Sequence, residues 1–265
     1  MKVLTLDHCE YLSHIPKVSG LPNLKKLSFE NCKNLITIHN SIGLLNKLEI
    51  LSAKGCCKLE RFPPLGLASL KELELSECRS LMSFPKLLHK MTNIKEIWFD
   101  DTSIGPLPSS FQNLSDFRSL TLWGCGMLRF PKHNDKMYCI VFSNLTELSL
   151  QNCNLSDECL PIFLKWCVNL EQLDLSKNNF KILPECLSGC RLIWNLNLYS
   201  CKSLEEIRGI PPNLNYLSAM KCESLSYSSR RMLLNKVCCF FVVLVIDTSY
   251  FIYITHSVIL FFCIN

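Results

Sequence analysis

Leu70-Lys-Glu-Leu73-Glu-Leu75-Ser-Glu-Cys78 and Leu145-Thr-Glu-Leu148-Ser-Leu150-Gln-Asn-Cys153 follow one frame, L-x-x-L-x-L-x-x-C. The inner leucines alternate with polar residues, and a period of two belongs to a short strand with one buried face. A single strand cannot bury that face alone, so the frame predicts neighbours of its own kind. Frames begin at Met1, Leu24, Leu48, Leu70, Ile94, Phe117, Leu145, Leu170, Ile193 and Leu214, at spacings of 23, 24, 22, 24, 23, 28, 25, 23 and 21 residues. Eight of the 17 cysteines close a frame: Cys9, Cys32, Cys56, Cys78, Cys125, Cys153, Cys201 and Cys222. Thr102 and Asn178 stand at that position in the remaining two.

Self-similarity at this period, with Cys or Asn closing the frame, is the leucine-rich-repeat signature. The expected fold is α/β: a leucine-rich-repeat solenoid of about ten repeats over residues 1–236, with a parallel concave β-sheet and a mostly extended convex side. The Cys or Asn side chain is expected to turn inward after the strand and satisfy backbone groups that the turn leaves unpaired. Hydrophobe–proline pairs follow in the second half of the units: Ile15-Pro16, Phe62-Pro63, Phe84-Pro85, Leu107-Pro108, Phe130-Pro131 and Leu183-Pro184. Proline lacks the amide proton and disfavours helix in the residue before it, which keeps the convex side extended. Two units depart from the plan. The sixth is 28 residues long, with a polar insertion expected at 131–136, and the seventh carries Ser156-Asp157-Glu158 before an apolar run, which reads as an N-capped convex helix with Pro161 near its first turn.

Composition excludes several functions. Lys and Arg total 28 against 23 Asp and Glu, a net charge of +5 with no arginine-rich run or basic stripe behind it, so no nucleic-acid partner is expected. No C-x-x-C occurs, and no Cys pair stands near a His pair at finger spacing, which argues against zinc. Phosphate-loop, dinucleotide, zinc-protease and serine-elbow motifs are lacking, and the six histidines fall at different phases of the repeat. The sequence therefore reads as non-catalytic, without cofactor or metal. Met1 already occupies the first position of a frame, so the chain reads as a piece of a longer protein or a shortened product.

Binding is expected on the concave face, where the outward strand residues vary. The fourth and fifth units gather Glu72, Glu74, Glu77, Glu96, Asp100 and Asp101, with Trp98 among them and Trp123 on the following strand. Like charges on neighbouring strands are unfavourable, so this density suggests a docking surface for a basic partner with the two tryptophans as anchors. Its alternative is a solvated face. Tyr199 and Tyr216 form a second candidate toward the C-terminal end.

Four stretches resemble a known family: Val3-Leu-Thr-Leu-Asp-His-Cys9 with Ile15-Pro16, Asn154-Leu-Ser-Asp-Glu158, Leu173-Asp-Leu-Ser176 with Leu183-Pro-Glu-Cys186, and Ile207-Arg-Gly-Ile-Pro-Pro-Asn-Leu214. With the Cys-phased frames they are similar to the leucine-rich-repeat domain of plant Toll/interleukin-receptor nucleotide-binding disease resistance proteins. The signalling and nucleotide-binding domains of that family have no counterpart in this sequence, and their activities do not carry over. The resemblance implies a cytoplasmic or nucleocytoplasmic module, whose partners would be proteins: a pathogen effector, a host guardee or a receptor nucleotide-binding domain. The cysteines are then expected as reduced core thiols.

Residues 237–265 depart from the family, with 22 apolar side chains among 29. They suggest a hydrophobic, helix-like tail, long enough for one membrane span with the repeats facing the cytoplasm. A translated intron is the competing explanation. The alternative function is accordingly a membrane-tethered leucine-rich-repeat scaffold or recognition protein without an immune role.

Overall fold

The computed structural model describes residues 1–105, 107–114, 117–127, 142, 144–165 and 167–237, with strand segments at 243–247, 250–252, 254–255 and 258–259. The chain divides into two compact units, Met1–Leu145 and Thr146–Asn265. Each frame carries one three-residue strand. In the first unit these are Val3–Thr5, Lys26–Ser28, Ile50–Ser52, Glu72–Glu74, Glu96–Trp98 and Ser119–Thr121, each pairing parallel with the next. Leu4, Leu27, Leu51, Leu73, Ile97 and Leu120 stand in register. In the second unit Glu147–Ser149, Gln172–Asp174, Asn195–Asn197 and Tyr216–Ser218 pair the same way, with Leu148, Leu173, Leu196 and Leu217 in register. Both units therefore have the leucine-rich-repeat solenoid architecture.

The closing residue of the frame links successive turns. Cys32 Sγ donates to Leu6 O at 3.1 Å, Cys56 to Phe29 O at 3.1 Å, and Cys78 to Ala53 O at 3.2 Å. Cys125 reaches Phe99 O at 3.1 Å, Cys201 reaches Leu175 O at 3.2 Å, and Cys222 reaches Leu198 O at 3.1 Å. Thr102 Oγ1 instead donates within its own turn, to Phe99 O at 2.9 Å, the carbonyl that Cys125 of the following turn also reaches. Asn178 does more: its Nδ2 donates to Leu150 O and Leu175 O at 2.8 Å each, and its Oδ1 accepts from Cys153 N and Leu155 N at 3.0 Å each. These thiols are free, and burial raises their pKa, to about 12 at Cys78 and Cys201 and about 11 at Cys222. Cys9, in the first frame, is exposed.

One position ahead of the closing residue, every turn holds a left-handed residue: His8, Asn31, Gly55, Glu77, Asp101, Gly124, Asn152, Lys177, Ser200 and Lys221, with φ between 52° and 73°. This bend aims the closing side chain inward, and the amide at the bend bonds to the following turn, as in Glu77 N to Asp100 O at 2.7 Å and Lys177 N to Tyr199 O at 2.8 Å. Non-glycine residues pay a local conformational cost there, which the inter-turn bonds offset.

The convex side is mostly extended, as the prolines require. His14–Ile15 pairs parallel with Thr37–Ile38, and Ile182–Leu183 with Glu206–Ile207. Pro108 and Pro184 sit in extended geometry immediately before the 3-10 turns Ser109–Asn113 and Glu185–Gly189. Gly209 is dictated by space, since a Cβ there would lie 2.5 Å from Glu185 O. The expected helix of the seventh unit is Cys159–Leu164, with Pro161 in its first turn, but no side chain caps it. Asp157 instead accepts from Lys181 N and Ile182 N of the next turn at 2.7 and 2.8 Å. The expected insertion at 131–136 lies outside the described residues.

The tail corrects one expectation. Its described segments are strands, not a helix: Val243–Asp247 pairs parallel with Tyr216–Ser218, and Tyr250–Ile252 pairs antiparallel with Val243–Asp247. β-Branched and aromatic residues dominate there, and these favour strands. No helix among the described residues is long and apolar enough to cross a membrane.

Replacing Asn178 with Leu leaves Leu150 O, Cys153 N and Leu155 N without this partner, while Leu175 O keeps Cys201 Sγ, and should cost about 3–5 kcal/mol of unfolding free energy. Replacing it with Cys, the residue most frames use, should cost clearly less. Urea titrations of the three proteins followed by circular dichroism measure the difference.

Candidate functional site

The outward residues of the fourth and fifth strands are placed by pleat and register. Glu72 lies directly beside Glu96, and Glu74 beside Trp98. On the next strand Ser119 follows Glu96 and Thr121 follows Trp98. Beneath them the core is aromatic: Phe84 packs on Phe99 at 5.3 Å and on Phe111 at 5.0 Å, and Phe111 packs on Phe117 at 6.1 Å. These tilted and edge-on pairs add about 0.5–1.5 kcal/mol each beyond area burial, giving the face a stiff support.

The six expected carboxylates divide by environment. Glu74 Oε1 accepts from Ser76 N at 2.8 Å, which closes its own turn. Glu77 and Asp101 are not on the strands but at the left-handed bends, and each faces a cation: Lys54 Nζ lies 3.8 Å from Glu77, and Arg79 Nη2 lies 2.8 Å from Asp101. Asp100 also follows its strand. Its Oδ1 accepts from Trp123 N at 2.7 Å, and its own amide donates to Ser76 Oγ at 3.2 Å. Burial, helped by Glu74 and Asp101, pushes its pKa up to about 6 against the opposing effects of the Trp123 amide and Lys54. Glu72 and Glu96 are thus the pair whose charge faces outward on the strands. Trp98 is half-buried beside them, and Trp123 is 41% exposed at the adjacent turn.

A row of charge flanks this face at the start of the strands. Glu49 lies between Lys25 and Lys71, and the hydrogen bonds from both hold its pKa at about 2. Its charge is internally matched, whereas among the described residues Glu72 and Glu96 form no ion pair.

In the second unit Tyr216 is 38% exposed, and Tyr199 is half-buried under Lys221, whose Nζ lies 5.5 Å from the ring centroid. Sequence reading missed two features there. Trp194, 37% exposed, precedes the Asn195–Asn197 strand. Side chains of neighbouring strands also bond across the face: Gln172 to Glu147 at 3.1 Å, Asn195 to Gln172 at 3.2 Å, and Asn197 to Asp174 at 2.9 Å. The signal was present as amides and acids at one phase of successive frames. Among the described residues no group of three or more His, Cys, Asp or Glu is arranged to hold a metal ion.

Residues 44–239 match the family described as disease resistance protein RPS4B-like, leucine-rich repeats. The chain belongs to that family. Its relatives include TMV resistance protein N of Nicotiana glutinosa, 26% identical over 82% of this chain and 25% of that protein. Others are Protein SUPPRESSOR OF npr1-1, CONSTITUTIVE 1 of Arabidopsis thaliana, 33% identical over 79% of this chain and 14% of that protein, and disease resistance protein RPP4 of Arabidopsis thaliana, 35% identical over 82% and 18%. The chain thus spans a quarter or less of the length of these relatives. Among solved structures, the leucine-rich repeat domain of the type III effector XopL matches with a TM-score of 0.55 at 17% identity, covering 93% of this chain and 76% of that one, which supports the fold. The family's leucine-rich repeats are a protein-interaction architecture.

The Asp100 shift has a definite sign. Its folded pKa lies above the ordinary value of 3.8, so between about pH 4 and 6 the folded state holds more proton than the unfolded state, and stability from this group falls as pH rises through that window. Asp100→Asn keeps the acceptor for Trp123 N and removes the charge. It should stabilise the protein by about 1–3 kcal/mol at pH 7.5 and by little at pH 4, measured as the difference in urea unfolding between variant and parent at each pH.

Proposed function

We propose that the chain is a non-catalytic recognition module of plant innate immunity, which senses a pathogen effector or host guardee, or restrains a receptor's nucleotide-binding switch, from inside the cell. Membership of the disease resistance family supports the immune setting. The observation that carries the contact surface is Glu72 beside Glu96 with Trp98 on the same strands. Two like charges at this spacing weaken the sheet by a fraction of a kcal/mol, a cost that a basic partner repays on docking. Glu74, Asp100, Glu77 and Asp101 shape the turns beneath and add to the negative field, with Trp98 and Trp123 as the apolar anchors. Tyr199, Tyr216 and Trp194 offer a second aromatic contact in the other unit. Binding and release are then the whole of the mechanism.

The test is a pull-down from leaf extract with the parent chain and with Glu72→Gln/Glu96→Gln and Trp98→Ala variants, followed by binding kinetics on the recovered partner. The double charge variant should slow association and flatten its salt dependence. Trp98→Ala should weaken binding by about 2 kcal/mol, mostly through faster dissociation. A partner retained equally by all three proteins would mark this face as merely solvated and move the contact to Tyr199, Trp194 and Tyr216.

A further inference from the structure

The apolar tail continues the frame. Phe241-Val-Val-Leu244-Val-Ile246-Asp-Thr-Ser249 reads F-x-x-L-x-I-x-x-S, and Phe241 stands 27 residues after Leu214, inside the 21–28 range of the other units. The backbone obeys the same phase: Leu244 is in register with Leu217, Val243 with Tyr216 and Val245 with Ser218, all parallel. The helix Tyr227–Val237 occupies the place in this turn that Cys159–Leu164 takes in the seventh. It is docked on the preceding turn, with Ile207 N donating to Ser229 Oγ at 3.0 Å and Leu233 fully buried. We infer that Val243–Asp247 is an eleventh repeat strand, and that the tail serves as an intramolecular cap on the sheet edge rather than as a contact for lipid.

Three observations favour the cap. Asp247 falls at the frame position of Asp7, Glu30 and Asp100, where the repeats already carry carboxylates, whereas insertion of an aspartate at the centre of a membrane helix costs about 2.5–3.5 kcal/mol. The pairing reverses after the new strand: Asp247 lies opposite Tyr250, and Tyr250–Ile252 runs antiparallel along it. An antiparallel strand ends the parallel stacking and covers an edge that would otherwise offer unpaired backbone groups to another chain. Finally, an open pair of strands leaves backbone groups unsatisfied in hydrocarbon and cannot span a bilayer by itself.

The experiment compares the full chain, a chain ending at Lys236, Leu244→Asp and Val245→Asp. In hydrogen exchange, the Ala219 amide is the reporter, because Leu198 N, one turn earlier at the same phase, donates to Ser218 O. A cap predicts exchange at Ala219 on the order of 100-fold faster in the shortened chain and in Leu244→Asp, with Val245→Asp close to the parent. Flotation with phosphatidylcholine–phosphatidylserine vesicles should leave the full chain in the aqueous fraction. Unchanged protection after truncation, equal effects of the two aspartate substitutions, or flotation of the full chain with the vesicles would each overturn the inference.

Discussion

The carbonyl that each turn leaves pointing into the interior is the constraint on which the rest of the structure depends. A buried, unpaired carbonyl costs about 1–3 kcal/mol, and a stack of turns accumulates that cost once per repeat. The chain meets it with the closing side chain of the frame, a thiol that reaches the preceding turn in most frames and the carboxamide of Asn178 in another, while the Thr102 hydroxyl bonds within its own turn. That side chain can only reach inward because the residue before it adopts a left-handed conformation. Leucines at fixed phase then fill the space between, and strand register follows from the bond pattern.

With the interior fixed so tightly, the outward strand positions are free to vary. In the first unit they carry Glu72, Glu96 and Trp98, and in the second a polar ladder of Glu147, Gln172 and Asn195 followed by Tyr216. The aromatic packing of Phe84, Phe99, Phe111 and Phe117 behind the acidic strands keeps these residues from rearranging. Surface identity and structural stability are thereby separated, which is the property a recognition module needs.

Much of the fold was legible because its signals repeat. The ten frames, their strands and the inward role of Cys and Asn all follow from a phase read along the sequence. The left-handed position was harder to read: His8, Glu77, Lys177 and Ser200 share no side-chain chemistry, and the backbone alone defines their role. For the same reason Glu77 and Asp101 looked like strand residues although they sit at bends beside Lys54 and Arg79. The capping of Cys159–Leu164 was misplaced because Asp157 bonds a turn 24 residues away, a partner that no local window contains. In the tail, apolar density outweighed phase and suggested a helix, whereas the frame from Phe241 to Ile246 pointed to a strand.

The inter-turn thiol ladder is tested most directly by alkylating the folded protein with iodoacetamide and mapping the labelled cysteines by mass spectrometry. Cys9 and Cys186, both exposed, should label, while Cys32, Cys56, Cys78, Cys125, Cys201 and Cys222 should remain unmodified until denaturant is added. Labelling of those six at the rate of Cys9 in the folded protein would contradict the account, because thiols that bond an interior carbonyl cannot meet the reagent.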